Sequence, residues 1–180
     1  TCCGAGMTAL ADLRPVAPAH PVVAIEGAGV LIEGRLRPAA IRFDPIDGTI
    51  ERLDGDERPD RVLDARGLLA LPGIVDVHGD AFERQIMPRP RVRFPLDVAL
   101  IDSDRQAIAN GITTVFHGVT WSWEPGLRGG EAARAILDAI EDLRPRLGAD
   151  TRCHLRYETY NIDAVGEIDR WLAERRIGAL

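Results

Sequence analysis

The chain contains no lysine; all 22 of its basic residues are arginine. That absence excludes a carbamylated lysine as a bridge between two metal ions, so a carboxylate has to take that place wherever such a bridge is needed. Cysteine is scarce as well. Two of the three cysteines, Cys2 and Cys3, fall in the run Thr1-Cys2-Cys3-Gly4-Ala5-Gly6, whose letters also spell nucleotides, and Met7 is the expected native start. Cys153 then stands alone in an apolar stretch, which excludes a disulfide framework and suits a reducing, cytoplasmic compartment. No apolar run approaches a membrane span, and the segment from Met7 to His20 is interrupted by Asp12, Arg14, Pro15 and Pro18, so no signal peptide is expected. Positive charge is not in excess either. A formal net charge of -6 and a pI near 5.2 argue against broad binding to nucleic acid. Internal repeats and low-complexity segments are absent, and 46% hydrophobic residues is the content of an ordinary folded domain.

What is present falls into two grammars. After an N-terminal tail over 1–21, residues 22–70 form short apolar runs punctuated by Gly and Pro. Val22 to Ile25, Val30 to Ile32, Ala40 to Phe43 and Thr49 to Leu53 read as strands, with Asp47-Gly48 as a hairpin turn, and together they suggest a small β-sandwich portion. From 71 to 180 strands alternate with helical patterns. Leu71 to Asp80, Ile112 to Phe116 and Arg152 to Tyr157 read as strands. Glu131 to Leu147 reads as a helix with Ala132, Ala135, Ile136, Ala139, Ile140 and Leu143 on one face, and Ile162 to Arg175 as a second with Val165, Ile168 and Leu172 inward. Ile177 to Leu180 resembles the opening of a further strand, so the chain is expected to be a truncated run of βα units around a parallel sheet or barrel.

The most informative stretch is Leu71-Pro72-Gly73-Ile74-Val75-Asp76-Val77-His78-Gly79-Asp80. Alternate residues of a strand share a face, so His78 and Asp80 can address one ion, and a hydrogen-bonded strand cap is the plainer use of the same pair. His154 and Glu158 share a face if their strand runs unbroken. Arg89, Arg91 and Arg93 alternate in a Pro-bounded segment, where three guanidinium forks on one side would suit phosphate oxygens, while ordinary surface arginines are the simpler reading. Trp121 and Trp123 either wall a pocket or anchor their loop in the core.

The segment from Leu71 to His78 resembles the first barrel strand of the amidohydrolase superfamily. His78-Gly79-Asp80, Phe82-Glu83, the run from Met87 to Pro95, Gly111 to Val115 and His154 to Glu158 together resemble the diphosphatase family of phosphonate catabolism. That family hydrolyses α-D-ribose 1-methylphosphonate 5-triphosphate to the 5-phosphate and pyrophosphate. The resemblance implies an α/β fold, the N-terminal part of a TIM-like (β/α)8 metal-dependent hydrolase barrel with a small β-sandwich portion. It also implies a divalent metal at His78 and Asp80, zinc first with manganese or iron as alternatives; with no lysine in the chain, Glu158 is the candidate carboxylate to bridge or complete that site, and His154 either packs in the core or supports the ligands. Arg89, Arg91, Arg93, His117, Trp121 and Trp123 would meet a small phosphorylated substrate, and a homo-oligomer stays open. The catalytic base and the remaining ligands are expected beyond Leu180. The chain departs from the family at Gly79, where Thr is usual, at His117, where Asp is usual, and in the Trp121-Ser122-Trp123-Glu124-Pro125 loop. These departures keep open an amidohydrolase that cleaves an amide or amidine carbon–nitrogen bond, and an inactive half-barrel.

Overall fold

The structure is a computed structural model that describes residues 21–55 and 58–180, so the expected start at Met7 and the pair Cys2 and Cys3 lie outside the described residues. The chain divides into two units at Pro72 and Gly73, and each is described by itself.

The first unit is all strand. Strands β1 (Val23–Glu26), β4 (Ile41–Phe43), β5 (Ile50–Leu53) and β6 (Arg61–Asp64) form one sheet in the order β5-β4-β1-β6. Strands β2 (Gly29–Ile32), β3 (Arg35–Pro38) and β7 (Leu69–Ala70) form a second in the order β3-β2-β7. Ala28, Val30 and Ala65 are buried between them, with Ile25, Ile32, Ile41 and Ala70 packed around. The expected hairpin at Asp47-Gly48 joins β4 to β5, where Asp47 Oδ1 accepts the Thr49 N–H at 2.7 Å. The β2–β3 hairpin was not anticipated from the sequence. It turns on Glu33 and Gly34, both with positive φ, the two-residue loop that normally advertises itself as Asn-Gly.

The second unit alternates strand and helix. Strands β8 (Ile74–Gly79), β9 (Ile112–Trp121) and β10 (Asp150–Tyr157) form a parallel sheet in the order β10-β9-β8. Helices α1 (Phe82–Ile86) and α2 (Leu96–Ala109) connect β8 to β9, α3 (Gly130–Leu143) connects β9 to β10, and α4 (Val165–Ala173) follows β10. Residue Ala179 then makes an isolated parallel bridge to His154, with the Gly178 N–H on the Cys153 carbonyl at 2.8 Å, where the sequence suggested the opening of a further strand. The core joins one face of this sheet, through Val119, Trp121, Cys153 and Leu155, to Phe82, Leu100, Leu137, Ile140, Ile168 and Trp171 of the helices.

Three expectations need correction. The helix read as ending at Leu147 stops at Leu143 and continues as a short 3-10 turn, Arg144–Arg146, because Pro145 lacks the N–H that an α-helix needs. Its inner stripe is Ala133, Ile136, Leu137, Ile140 and Leu143, while Ala135 is exposed. The second helix begins as a 3-10 turn at Ile162 and buries Ile168 and Trp171, leaving Val165 and Leu172 at 42% and 43% exposure. Helix α2 was not read at all. Its buried positions, Ala99, Leu100, Asp104 and Ala107, include a carboxylate and two alanines, too little apolar contrast to announce a helix.

Asp104 explains its own burial. Its carboxylate accepts the N–H groups of Gly148 (3.0 and 3.1 Å) and Ala149 (2.9 Å), tying α2 to the turn that launches β10. Asp104→Ala strands both donors and should cost about 3 kcal/mol, read as a lowered urea midpoint. Burial pushes the Cys153 thiol up to about 12. Iodoacetamide should therefore label Cys153 only after unfolding, which peptide mass mapping checks.

Candidate functional site

The site lies on the sheet face opposite the helices, and its shape starts from an irregularity in β8. Asp76 pairs in register with Val115 and Gly79 with His117, so Val77 and His78 together oppose the single residue Phe116. This one-residue bulge frees two backbone groups. The His78 N–H donates to Asp76 Oδ1 at 3.0 Å, and the Val77 carbonyl accepts from His154 Nδ1 at 3.0 Å. The bulge reverses the facing of His78, which meets His154 across the central strand with ring centroids 4.7 Å apart and Nδ1 atoms 3.2 Å apart.

Neighbouring strands run about 4.8 Å apart, so side chains of β8 and β10 meet only if β9 leaves the space between them open. Gly118 does so. It pairs with His154, and a Cβ there would lie 3.2 Å from Asp80 Oδ1, 3.5 Å from His78 Cε1 and 3.6 Å from Arg156 Cδ. Over this glycine floor His78 Nε2 contacts Asp80 Oδ1 at 3.1 Å, and Arg156 Nη1 reaches the same oxygen at 3.4 Å. The Val77 carbonyl can only accept, so His154 carries its proton on Nδ1, where it also faces His78 Nδ1; the His78 Nε2 and Asp80 Oδ1 approach is a close contact of the pair.

The structure therefore brings together His78, Asp80 and His154, and adds Arg156 and Gly118. Both additions carried a signal in the sequence: a glycine inside the β-branched run Ile112-Thr113-Thr114-Val115, Phe116, His117, Gly118, Val119, Thr120, and the alternation of Arg152, His154 and Arg156. Other expected members stand apart. Glu158 falls one residue beyond the end of β10, is exposed, and uses its backbone N–H on Trp121 O at 3.1 Å. Arg89, Arg91 and Arg93 do not line one side of an extended segment. Pro90 and Arg91 form a reverse turn closed by the Val92 N–H on Arg89 O, with Arg91 at φ 67°, which disperses the three side chains. Trp121 is no pocket wall but the last residue of β9, buried against Trp171 at 5.0 Å; Trp123 is exposed beside Tyr160.

His117 is the plainest correction. Expected at the mouth, it sits in mid-strand because β9 runs five residues further than read, and it faces the helices, 3% exposed and stacked on Phe82 at 4.6 Å. Neither ring nitrogen has a hydrogen-bond partner among the described residues. Burial brings its pKa from 6.5 down to about 4, against the opposing pull of Asp76 and Asp104.

A divalent ion at about 2.0 to 2.2 Å from each ligand sets adjacent donors roughly 3.0 to 3.6 Å apart, and the 3.1 Å spacing of His78 Nε2 and Asp80 Oδ1 matches. The space between these two atoms is where such an ion would sit, beside the glycine floor of Gly118. The pair fits two positions of a metal site; among the described residues no three His, Cys, Asp or Glu side chains complete one.

Comparison with known proteins adds a sequence relationship. The alpha-D-ribose 1-methylphosphonate 5-triphosphate diphosphatase of Escherichia coli is 30% identical over 127 residues, which are 63% of this chain and 33% of that protein. The chain is a distant homologue of that diphosphatase. It spans about a third of that relative's length. No family model matches. Among solved structures, the chain is similar to a beta-aspartyl dipeptidase from Fervidobacterium islandicum AW-1, solved with beta-Asp-Leu dipeptide (TM-score 0.47, 23% identity, 76% of this chain and 33% of that one). It is similar as well to the L-hydantoinase of Arthrobacter aurescens (TM-score 0.41, 20% identity, 74% and 27%). No helix among the described residues is long and apolar enough to cross a membrane.

The buried imidazole sets a pH dependence. Between pH 6.5 and 4 the unfolded chain takes up a proton at His117 that the folded chain refuses, so stability is full above about pH 6.5 and falls towards pH 4. The contribution at stake is about 3 kcal/mol. His117→Leu should flatten this part of the curve of urea midpoint against pH; an unchanged slope would assign the loss to other groups.

Proposed function

We propose that this chain carries one side of a metal-dependent hydrolase site that cleaves a phosphorylated small molecule. Our reading of the substrate is α-D-ribose 1-methylphosphonate 5-triphosphate, hydrolysed to the 5-phosphate and pyrophosphate in the cytoplasm. The observation that carries this reading is the guanidinium of Arg156 beside the His78 and Asp80 pair, across the open floor of Gly118. Sequence kinship to the diphosphatase supports the substrate.

His78 and Asp80 would hold a divalent ion, which when bound supplies a Lewis acid for a phosphoryl oxygen. The other roles belong to the chain. His154, fixed by its Nδ1 proton on Val77 O, packs edge-on against the His78 ring and limits its rotation. Arg156, half exposed and with only a long contact to Asp80, has donors to spare for phosphate oxygens and would draw the polyphosphate onto the site face. The absence of a side chain at Gly118 lets that group lie flat against the sheet.

In phosphorus NMR, the intact metal-loaded protein should release pyrophosphate from the ribose triphosphate. Arg156→Ala should raise KM at least tenfold with a smaller change in kcat. His78→Ala or Asp80→Ala should abolish metal binding and turnover together. Turnover of a cyclic amide or N-acyl panel, with no pyrophosphate released, would overturn the proposal in favour of carbon–nitrogen hydrolysis.

A further inference from the structure

Asp76 belongs neither to the metal pair nor to the core, yet it sits two residues before His78 on the same strand. We infer that Asp76 is a positioning residue: by accepting the His78 N–H it holds the bulge that turns His78 from the helix side of the sheet to the site side. The inference rests on the reading of His78 as a site residue.

The register carries the argument. Val115 and His117 on β9 face the helices, and Asp76 and Gly79 are their partners on β8. Regular alternation would place Asp76 and His78 on one face, away from His154. The extra residue separates them, and it frees one N–H and one carbonyl that need partners. Two side chains provide these from opposite sides of the sheet. Asp76 takes the His78 N–H from the helix side at 3.0 Å, and His154 donates to Val77 O from the site side at 3.0 Å.

The space behind β8 has room for the carboxylate. Asp76, only partly buried, lines a half-open cavity of about 180 Å³ whose walls are mainly apolar, with Gln85, Ser103, Asn110 and His117 among its polar groups. The carboxylate packs beside Gly79, where a Cβ would lie 3.4 Å from Asp76 Oδ2, an ordinary contact. The carboxylate thus has a local bond to residue i+2, the habit of Asp in turns, used here inside a strand.

The experiment compares Asp76→Ala and Asp76→Asn in the intact protein, with wild type and His78→Ala as references. Two readouts are taken: nuclear Overhauser contacts between the His78 and His154 rings without metal, and cobalt(II) affinity from its visible absorption. Asp76→Ala should lose the ring contact and weaken cobalt binding 10- to 100-fold. Asp76→Asn keeps the accepting oxygen and should restore both to within about threefold. Retention of both properties by Asp76→Ala overturns the inference, as does an Asn variant as impaired as the Ala one. Should Asp76→Ala not fold, the His78 amide of the unmodified protein decides: slow hydrogen exchange is expected, and exchange at the rate of a free amide overturns the role. Unchanged cobalt affinity in His78→Ala would sink the metal reading alone, and the ring contact would still judge Asp76.

Discussion

The arrangement of this site depends on one missing side chain. Strands β8 and β10 are about 10 Å apart, too far for an imidazole pair to meet over an ordinary residue of the strand between them. At Gly118 the central strand presents backbone alone, and His78, Asp80, His154 and Arg156 close over it. A Cβ there would press on Asp80 Oδ1, at 3.2 Å, and a longer side chain would fill the space that the four share.

The same sheet keeps its two faces chemically separate. Cys153 and Leu155 of β10 point into the helix-covered core, while His154 and Arg156 between and beyond them face the other way. The helical layer is held by apolar packing and by ion pairs at its margin, with Arg134 on Glu167 at 2.7 and 2.8 Å and Arg176 on Glu141 and Asp138. Polar groups on the helix side each have a local reason: Asp76 and Asp104 accept backbone N–H groups, and His117 is a ring kept neutral by burial and stacked on Phe82.

The alternation along β10, the pairing of His78 with Asp80, and the existence of α3 were all legible, since each depends on spacing within a few residues. The inner face of α3 was misjudged because alanines at 132, 133 and 135 fit inside or outside equally well, and only packing against β9 and β10 selects among them. Helix α2 escaped notice because one of its buried positions is a carboxylate whose purpose, holding Gly148 and Ala149, is more than forty residues away in sequence.

By itself the sequence determined the strand-rich first unit and the alternation of strand and helix in the second, though not α2 or the β2–β3 hairpin, together with the absence of a disulfide framework among the described residues and the candidates His78, Asp80 and His154. These follow from local periodicity and residue chemistry. Only the tertiary structure decided which candidates meet. It placed His117 on the wrong face for a site, dispersed the arginines at a reverse turn, set Glu158 apart, and brought in Arg156. The reason is geometric: a bulge of one residue in β8 and a glycine in β9 change which side chains share a space; the glycine is visible within its strand, but its effect on the neighbouring strands, and the bulge itself, exist only once the strands are paired.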